Sequence, residues 1–472
     1  MKKILSLLFC LSITFTLFAQ GYKVTFQTSS YKSGFAYLAY HMGKNYNIAD
    51  SAQVNNNGVA VFSGSKPLLP GIYAIAFPNR TLTQDFLIDK EQQITVKADT
   101  GRMGMTVTGS PANRLFDEYQ KVIIEKSQKM QEAKNNFLSA KTKADSLSNE
   151  AVYNQLNDAL NEYRNRIITD QPESMMAVLL SAMKEPSLPK KKPVTAQDST
   201  DNYNYYKAHY WDGVTFMDER IIRTPFFLPR LERYYREVMP QAPDSIIKDL
   251  DYKLLLARSA PELYKFLLNW STDEYLNPKY MGQDAIFVHL FNKYHSKGFS
   301  PWLNEKQMET ISRRAYMQMA NLIGETAANI ELADSTGKIV PLFSQNADYT
   351  VVVFWDPNCG HCKQEIPRID SIYQASWKSR NVKIYAVNTE HDKTAWVNYI
   401  KEHKLKDWTN VYQTKEMQDA EKKSNNPSYK QLFDVIQTPT LYLLDKEKRI
   451  IGKKLTFQQL DDLMLAKMKN KK

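Results

Sequence analysis

The stretch Tyr349-Thr350-Val351-Val352-Val353-Phe354-Trp355-Asp356-Pro357-Asn358-Cys359-Gly360-His361-Cys362-Lys363 decides the fold of the last third of the chain. Its first part, Tyr349 to Phe354, is apolar and β-branched, the composition of a buried strand. Beyond it, Ile366, Ile369, Ile372 and Tyr373 recur at helical spacing. A strand, a short turn and a helix start therefore converge on Cys359 and Cys362. A Cys-x-x-Cys at such a turn reads as a thiol–disulfide site. On a helix, residues three apart have α-carbons about 5 Å apart, inside the roughly 4.4–6.8 Å window for a disulfide. The free N–H groups and dipole of a helix N-terminus favour a thiolate over a thiol. Cys359 is then the exposed nucleophile and Cys362, one turn further in, the buried resolving thiol. Gly360 is expected to let the turn form without side-chain obstruction. The His361 imidazole is expected to favour the Cys359 thiolate by hydrogen bonding or charge.

The chain of 472 residues has three cysteines, Cys10, Cys359 and Cys362. Cys10 lies in a segment expected to be removed. Residues 1–19 have a basic start at Lys2 and Lys3, an apolar stretch and a small residue, Ala19, at the cut, as a secretory signal does. This apolar stretch falls short of the ~20 residues of a membrane span. No later run reaches that length, so no stable membrane span is expected after signal removal. An exported chain enters a compartment that permits disulfide chemistry. With only one pair of cysteines left, a four-cysteine zinc site is excluded, and no metal is assigned. A structural staple closing two residues would remove little chain entropy. No cofactor is expected.

The formal net charge is +11. The lysines are spread along the chain, with a local excess at Lys467, Lys469, Lys471 and Lys472, and read as solvated surface. No base-stacking motif accompanies them, so nucleic acid is not an expected partner.

The length suggests about three domains. Residues 20–110 read as an all-β, sandwich-like domain, from runs such as Phe35 to Tyr40, Val59 to Phe62 and Ile72 to Phe77, punctuated by Asn55-Asn56-Asn57-Gly58 and Pro70-Gly71. Residues 111–325 read as α-helical, with a long run from Asn113 to Ile168 and a linker near 187–201. The many aromatics here, Tyr203 to Tyr235 among them, are expected to pack helices together. His289 and His295 are six apart, on different helix faces, and do not read as a metal pair. Residues 326–472 alternate strands with helices, an α/β pattern that implies a mixed sheet covered on both faces.

Those last residues resemble the exported TlpA/ResA-like group of thioredoxin-fold thiol–disulfide oxidoreductases, of the type found in Bacteroidetes. Phe354-Trp355 before the cysteines, Glu365-Ile366-Pro367 after them and Thr438-Pro439-Thr440 at a strand start carry the resemblance. Residues 388–426 fit the group's helical insertion. The resemblance extends loosely to the β-domain, through Asp50-Ser51 and Pro70-Gly71-Ile72-Tyr73, and to an uncharacterised helical domain, through Trp211-Asp212-Gly213. It implies a cis bond at Pro439 and contact with substrate by Trp355, Thr438 and Pro439. It also implies a redox-active disulfide between Cys359 and Cys362. Its partners would be cysteine-containing proteins of the periplasm or cell envelope, plus a redox partner that resets the site. Two departures matter. Val353 stands where plain thioredoxins have a buried aspartate, and Asn358 where they have a second tryptophan. Glu365, three residues after Cys362 and on its helix face, reads either as the proton-transfer substitute or as a solvated helix glutamate. Whether the couple works as a reductase or an isomerase stays open. A soft-metal, Cu(I)-binding module and an envelope holdase acting through residues 111–325 are the alternatives.

Overall fold

The computed structural model describes residues 21–100, 104–189, 192–390, 392–424 and 426–469. The expected secretory segment 1–19 lies outside them, as do residues 190–191 of the expected linker, Lys471 and Lys472. The fold class is the expected one: a β-sandwich, a helical middle region and a C-terminal α/β domain of thioredoxin type. The chain divides into two compact units, Met1–Met239 with Lys253–Phe266, and Pro240–Tyr252 with Leu267–Lys472.

In the first unit, the described strands are β1 (Tyr22–Gln27), β2 (Phe35–Met42), β3 (Asn45–Gln53), β4 (Val59–Gly64), β5 (Gly71–Ala76), β6 (Phe86–Ile88), β7 (Gln93–Lys97) and β8 (Thr106–Thr108). They form two four-stranded sheets, ordered β4-β1-β7-β8 and β3-β2-β5-β6. Alternate residues of each sheet meet in one core that includes Val24, Phe26, Leu38, Phe62, Ile75 and Phe86. The Asn-rich turn needs its glycine: Gly58 has φ +74°, and a Cβ there would lie 1.9 Å from the Thr28 carbonyl oxygen. Strands β3 and β8 had no clear signal in the sequence. Most β3 side chains are exposed, so no apolar alternation marks the strand; its pairing with β2 holds it instead.

The expected helical run from Asn113 to Ile168 is two helices, Pro111–Ser139 and Lys143–Asp170. Thr142 caps the second by accepting from the Asp145 N–H. Asn113 anchors the first to the sandwich: its Oδ1 accepts from the Leu87 N–H at 2.7 Å, and its Nδ2 donates to the Leu87 carbonyl at 2.7 Å. Tyr119, Ile167 and the helix Met175–Met183 then bury Ile72 and Leu87. The linker is shorter than expected, because a helix starts at Ala196. Its capping box, Thr195 with Asp198, overrides the nearby prolines.

The helical region is therefore not one block over 111–325. Its first half packs on the sandwich, and its last helices belong to the second unit. There Asp284–Lys293 and Glu305–Met319 are tied to the C-terminal domain by polar anchors. Buried Asp284 pairs with Lys453, Arg314 pairs with Asp434, and the Asn321 Nδ2 donates to the Leu432 carbonyl at 3.1 Å.

The C-terminal domain is built on a mixed sheet of β9 (Glu331–Ala333), β10 (Ile339–Pro341), β11 (Tyr349–Trp355), β12 (Val382–Asn388), β13 (Thr409–Tyr412), β14 (Thr440–Leu444) and β15 (Ile450–Lys453), ordered β10-β9-β13-β12-β11-β14-β15. Central β11 runs parallel to β12 and antiparallel to β14. Every residue of β11 is buried, since helices cover both faces of the sheet. One face packs Val351, Val353 and Trp355 with Cys362, Ile366, Trp396 and Tyr399; the other packs Val352 and Phe354 with Tyr429, Phe433 and Tyr442. The expected helical insertion over 388–426 also holds strand β13, which the sequence reading missed. Its four residues, Thr-Asn-Val-Tyr, are too short and too polar to show a period, and a parallel ladder with β12 defines them.

Candidate active site

Strand β11 ends at Trp355, and the chain turns through Asp356 to Asn358 into the helix Gly360–Ile372, with Cys359 at the N-cap. The turn is held by its own polar groups. The Cys359 N–H donates to the Asp356 carbonyl at 3.2 Å, and the Asn358 N–H to Asp356 Oδ1 at 2.7 Å. The Lys363 N–H reaches back to the Cys359 carbonyl at 3.0 Å, the first turn of the helix. No side chain caps this helix start, which leaves its N–H groups for the cysteine sulfur.

Both thiols are free, and they differ in burial: Cys359 is half-buried and Cys362 fully buried. Partial burial opposes ionisation of Cys359. Hydrogen bonds outweigh it, from the Cys362 N–H, from the Thr438 side chain, from the Cys362 thiol and from the His361 N–H, and hold the thiol below its usual range. Burial pushes Cys362 up to about 12, against a hydrogen bond from the Asp356 N–H at 3.5 Å. A neighbouring Cys359 thiolate raises it further. An ionisable, accessible sulfur therefore sits beside a neutral, enclosed one.

Thr438, the residue before Pro439, reaches this pair. The Cys359 thiol donates to the Thr438 carbonyl at 3.5 Å, and the Thr438–Pro439 bond is cis. Strand β14 begins at the next residue.

Four sequence expectations need correction. Trp355 is 0% exposed, so it cannot touch a substrate; it forms part of the floor beneath Cys362, its ring 5.1 Å from that of Tyr399. Gly360 has open space where a Cβ would stand, so the turn does not need a glycine for room. The group of His361 that favours the Cys359 thiolate is its backbone N–H, while the residue itself is exposed. Glu365 turns to Arg368, whose Nη1 donates to Glu365 Oε1 at 2.9 Å. The shared helix face with Cys362 is real, but among the described residues Glu365 makes no hydrogen bond to either cysteine.

Tyr399 was missed. It lies on the helix Lys393–Glu402, in the same core as Cys362, and its ring stacks 4.0 Å from that of His403. Its buried hydroxyl has no hydrogen-bond partner among the described residues. Burial raises its pKa, and the charge of Cys362 raises it further. Trp396 and Tyr399, three apart, were the available signal. Among the described residues no group of three His, Cys, Asp or Glu is placed to hold a metal ion.

Comparison with known proteins supplies the family. Residues 323–453 match the model of the AhpC/TSA family, and residues 22–116 match DUF4369, a domain of unknown function. The chain is 34% identical to a crystallised domain of a possible thiol-disulfide isomerase from Cytophaga hutchinsonii, covering 32% of this chain and 95% of that one, with a TM-score of 0.28. The chain belongs to the thioredoxin-like thiol–disulfide oxidoreductases. It is also 25% identical over 145 residues to the thiol-disulfide oxidoreductase ResA of Bacillus thuringiensis, 30% of this chain and 76% of that protein. A thioredoxin-like protein from Bacteroides caccae is 21% identical, with 60% of this chain and 98% of that chain covered and a TM-score of 0.45. This oxidoreductase domain and the DUF4369 domain are thus joined in one chain. Among the described residues no helix is long and apolar enough to cross a membrane.

Proposed function

We propose that this oxidoreductase exchanges disulfides with cysteine-containing proteins of the cell envelope through Cys359 and Cys362. The Cys359 thiolate attacks one sulfur of a partner's disulfide, and the partner's other sulfur leaves as a thiolate and takes up a proton. The Cys362 thiol then loses its proton and attacks Cys359, which closes the Cys359–Cys362 disulfide and releases the partner's second thiol. Two partner sulfurs are reduced and two sulfurs of this chain are oxidised. A redox partner with a dithiol returns them. The Thr438 carbonyl and Pro439, on the open side of Cys359, receive the backbone of the bound partner as an added strand would.

The observation that carries this reading is the contrast between the thiols, with Cys359 held low and accessible at a helix start and Cys362 held high and enclosed. Export rests on the pattern of residues 1–19. Direction rests on the dipeptide. Gly360-His361 is the pair of protein disulfide isomerase, and a stabilised thiolate makes a couple more oxidising, so the potential falls between the roughly −180 mV of that enzyme and the roughly −270 mV of thioredoxin. The test is to express Cys362→Ala in the native cell, trap mixed disulfides, and identify the attached proteins. Envelope proteins joined through Cys359 are expected. An absence of adducts when the same cells yield them with another exchange protein would refute the reading.

A further inference from the structure

The core that encloses Cys362 holds three hydrogen-bond donors with nothing to donate to. Trp355 Nε1, Trp396 Nε1 and the Tyr399 hydroxyl are buried there and have no hydrogen-bond partner among the described residues. Buried donors left unpaired are costly, and most buried polar groups in folded proteins are paired. The three are not scattered. Trp355 ends β11, and Trp396 and Tyr399 lie three apart on the helix Lys393–Glu402, which packs in the same core. The Tyr399 ring is 5.1 Å from the ring of Trp355 and 4.0 Å from that of His403. The Cys362 sulfur accepts at 3.5 Å from the Asp356 N–H, the amide that directly follows Trp355. Cys362 is the buried group of this core that the exchange turns into an anion. The nearest carboxylate on its own helix face, Glu365, is held by Arg368 instead.

We propose that the Tyr399 hydroxyl is the donor that meets the Cys362 sulfur as it becomes a thiolate. The inference deepens the exchange reaction proposed above and rests on it. In that reaction the Cys362 thiol gives up its proton and its sulfur bonds to Cys359. The bond from Cys359 to the partner breaks, and the proton ends on the partner's leaving thiol. Tyr399 keeps its own proton throughout and supplies only a hydrogen bond. Two features select it from the three donors. A hydroxyl hydrogen rotates about its C–O bond, whereas an indole N–H is fixed in the plane of its ring. The hydroxyl also lies within electrostatic reach of the sulfur: burial raises its pKa, and the charges of Cys362 and Glu402 raise it further, so it stays protonated. The ionisable groups beside it are Cys362, Glu402 and His403, and of these Cys362 is the one whose charge changes during exchange. In the resting protein the hydroxyl makes no hydrogen bond. It is therefore withheld from the neutral thiol and engaged only as charge develops, the condition under which an interaction speeds a step.

The test separates the two attacks. The reduced full-length protein, in a Cys10→Ser background so that only Cys359 and Cys362 react, is mixed with limiting 5,5′-dithiobis(2-nitrobenzoate) in a stopped-flow instrument. The first thionitrobenzoate is released by the attack of Cys359 on the reagent, and the second by the attack of Cys362 on the mixed disulfide. Tyr399→Phe is expected to leave the first phase unchanged and to slow the second about tenfold, the scale of one hydrogen bond to a charged group. Its second-phase pH profile should lie about one unit higher. Placing 3-fluorotyrosine at position 399, a stronger donor of similar size, should instead make the second phase faster than in the wild type. A role in packing alone would not respond to donor strength. Thermal unfolding checks that Tyr399→Phe folds, and the fluorotyrosine result decides if it does not. A second phase unchanged in Tyr399→Phe, or slowed by fluorotyrosine, would overturn the proposal. A wild type that releases only the first thionitrobenzoate would overturn the exchange reaction itself, and the proposal with it.

Discussion

Replacing His361 separates two sources of thiolate stability that the sequence alone confounds. The His361 and Cys362 N–H groups both help hold the Cys359 sulfur as a thiolate. His361→Pro deletes one of those donors, at a first-turn position where proline is tolerated. His361→Ala removes only the imidazole. A hydrogen bond to a charged group contributes about 1.5–3 kcal/mol, which is roughly 1–2 pKa units at 1.36 kcal/mol each. Loss of that much thiolate stability moves a two-electron potential by up to about 30–65 mV towards more reducing values. The Cys359 pKa is read from the alkylation rate against pH, and the potential from equilibration with glutathione. His361→Pro should raise the pKa and lower the potential on this scale, while His361→Ala should move both by less than half as much. Equal shifts in the two variants would show that the imidazole does the work, and no shift in either would refute any role for position 361.

Further outcomes follow from the same geometry. Lys453→Met strands buried Asp284, the two side chains being 6% and 5% exposed, and should cost the second unit about 3–5 kcal/mol in urea unfolding; Lys453→Met with Asp284→Leu should recover part of it, and an undisturbed midpoint in the single variant would contradict the pairing. Glu365→Gln should leave the pH profile of exchange unchanged, since it breaks only a surface pair with Arg368 that is worth ~1 kcal/mol or less; a displaced profile would return Glu365 to Cys362. Tyr399→Phe removes a buried hydroxyl that has no partner and should leave stability level or raise it by up to about 1 kcal/mol in thermal unfolding, so a clear loss would mean that the hydroxyl is bonded.

The parts of this fold that the sequence revealed are those that local pattern specifies. Strand β11 is a continuous apolar run because both of its faces are buried, and the cysteine pair announces itself at its end. Strands β3, β8 and β13 are held by pairing with the strand that precedes each, and nothing in their short or polar runs marks them. The split of the helical region depends on contacts such as Asp284 with Lys453, 169 residues apart. Within the site, positions were readable but directions were not. Helix periodicity placed Glu365 on the face of Cys362, and a rotamer turned it to Arg368. The family resemblance set Trp355 against the substrate, and only the covering helix with Trp396 and Tyr399 shows that it is sealed in.

The asymmetry of the two thiols is tested most directly by alkylating the reduced, folded protein with limiting iodoacetamide across a pH series and counting the label at each cysteine by mass spectrometry. Cys359 should be labelled first, with a rate midpoint below the ~8.5 of a free thiol, and Cys362 should react only once the protein is unfolded. Equal labelling at neutral pH, or faster labelling of Cys362, would contradict the assignment of nucleophile and resolving thiol.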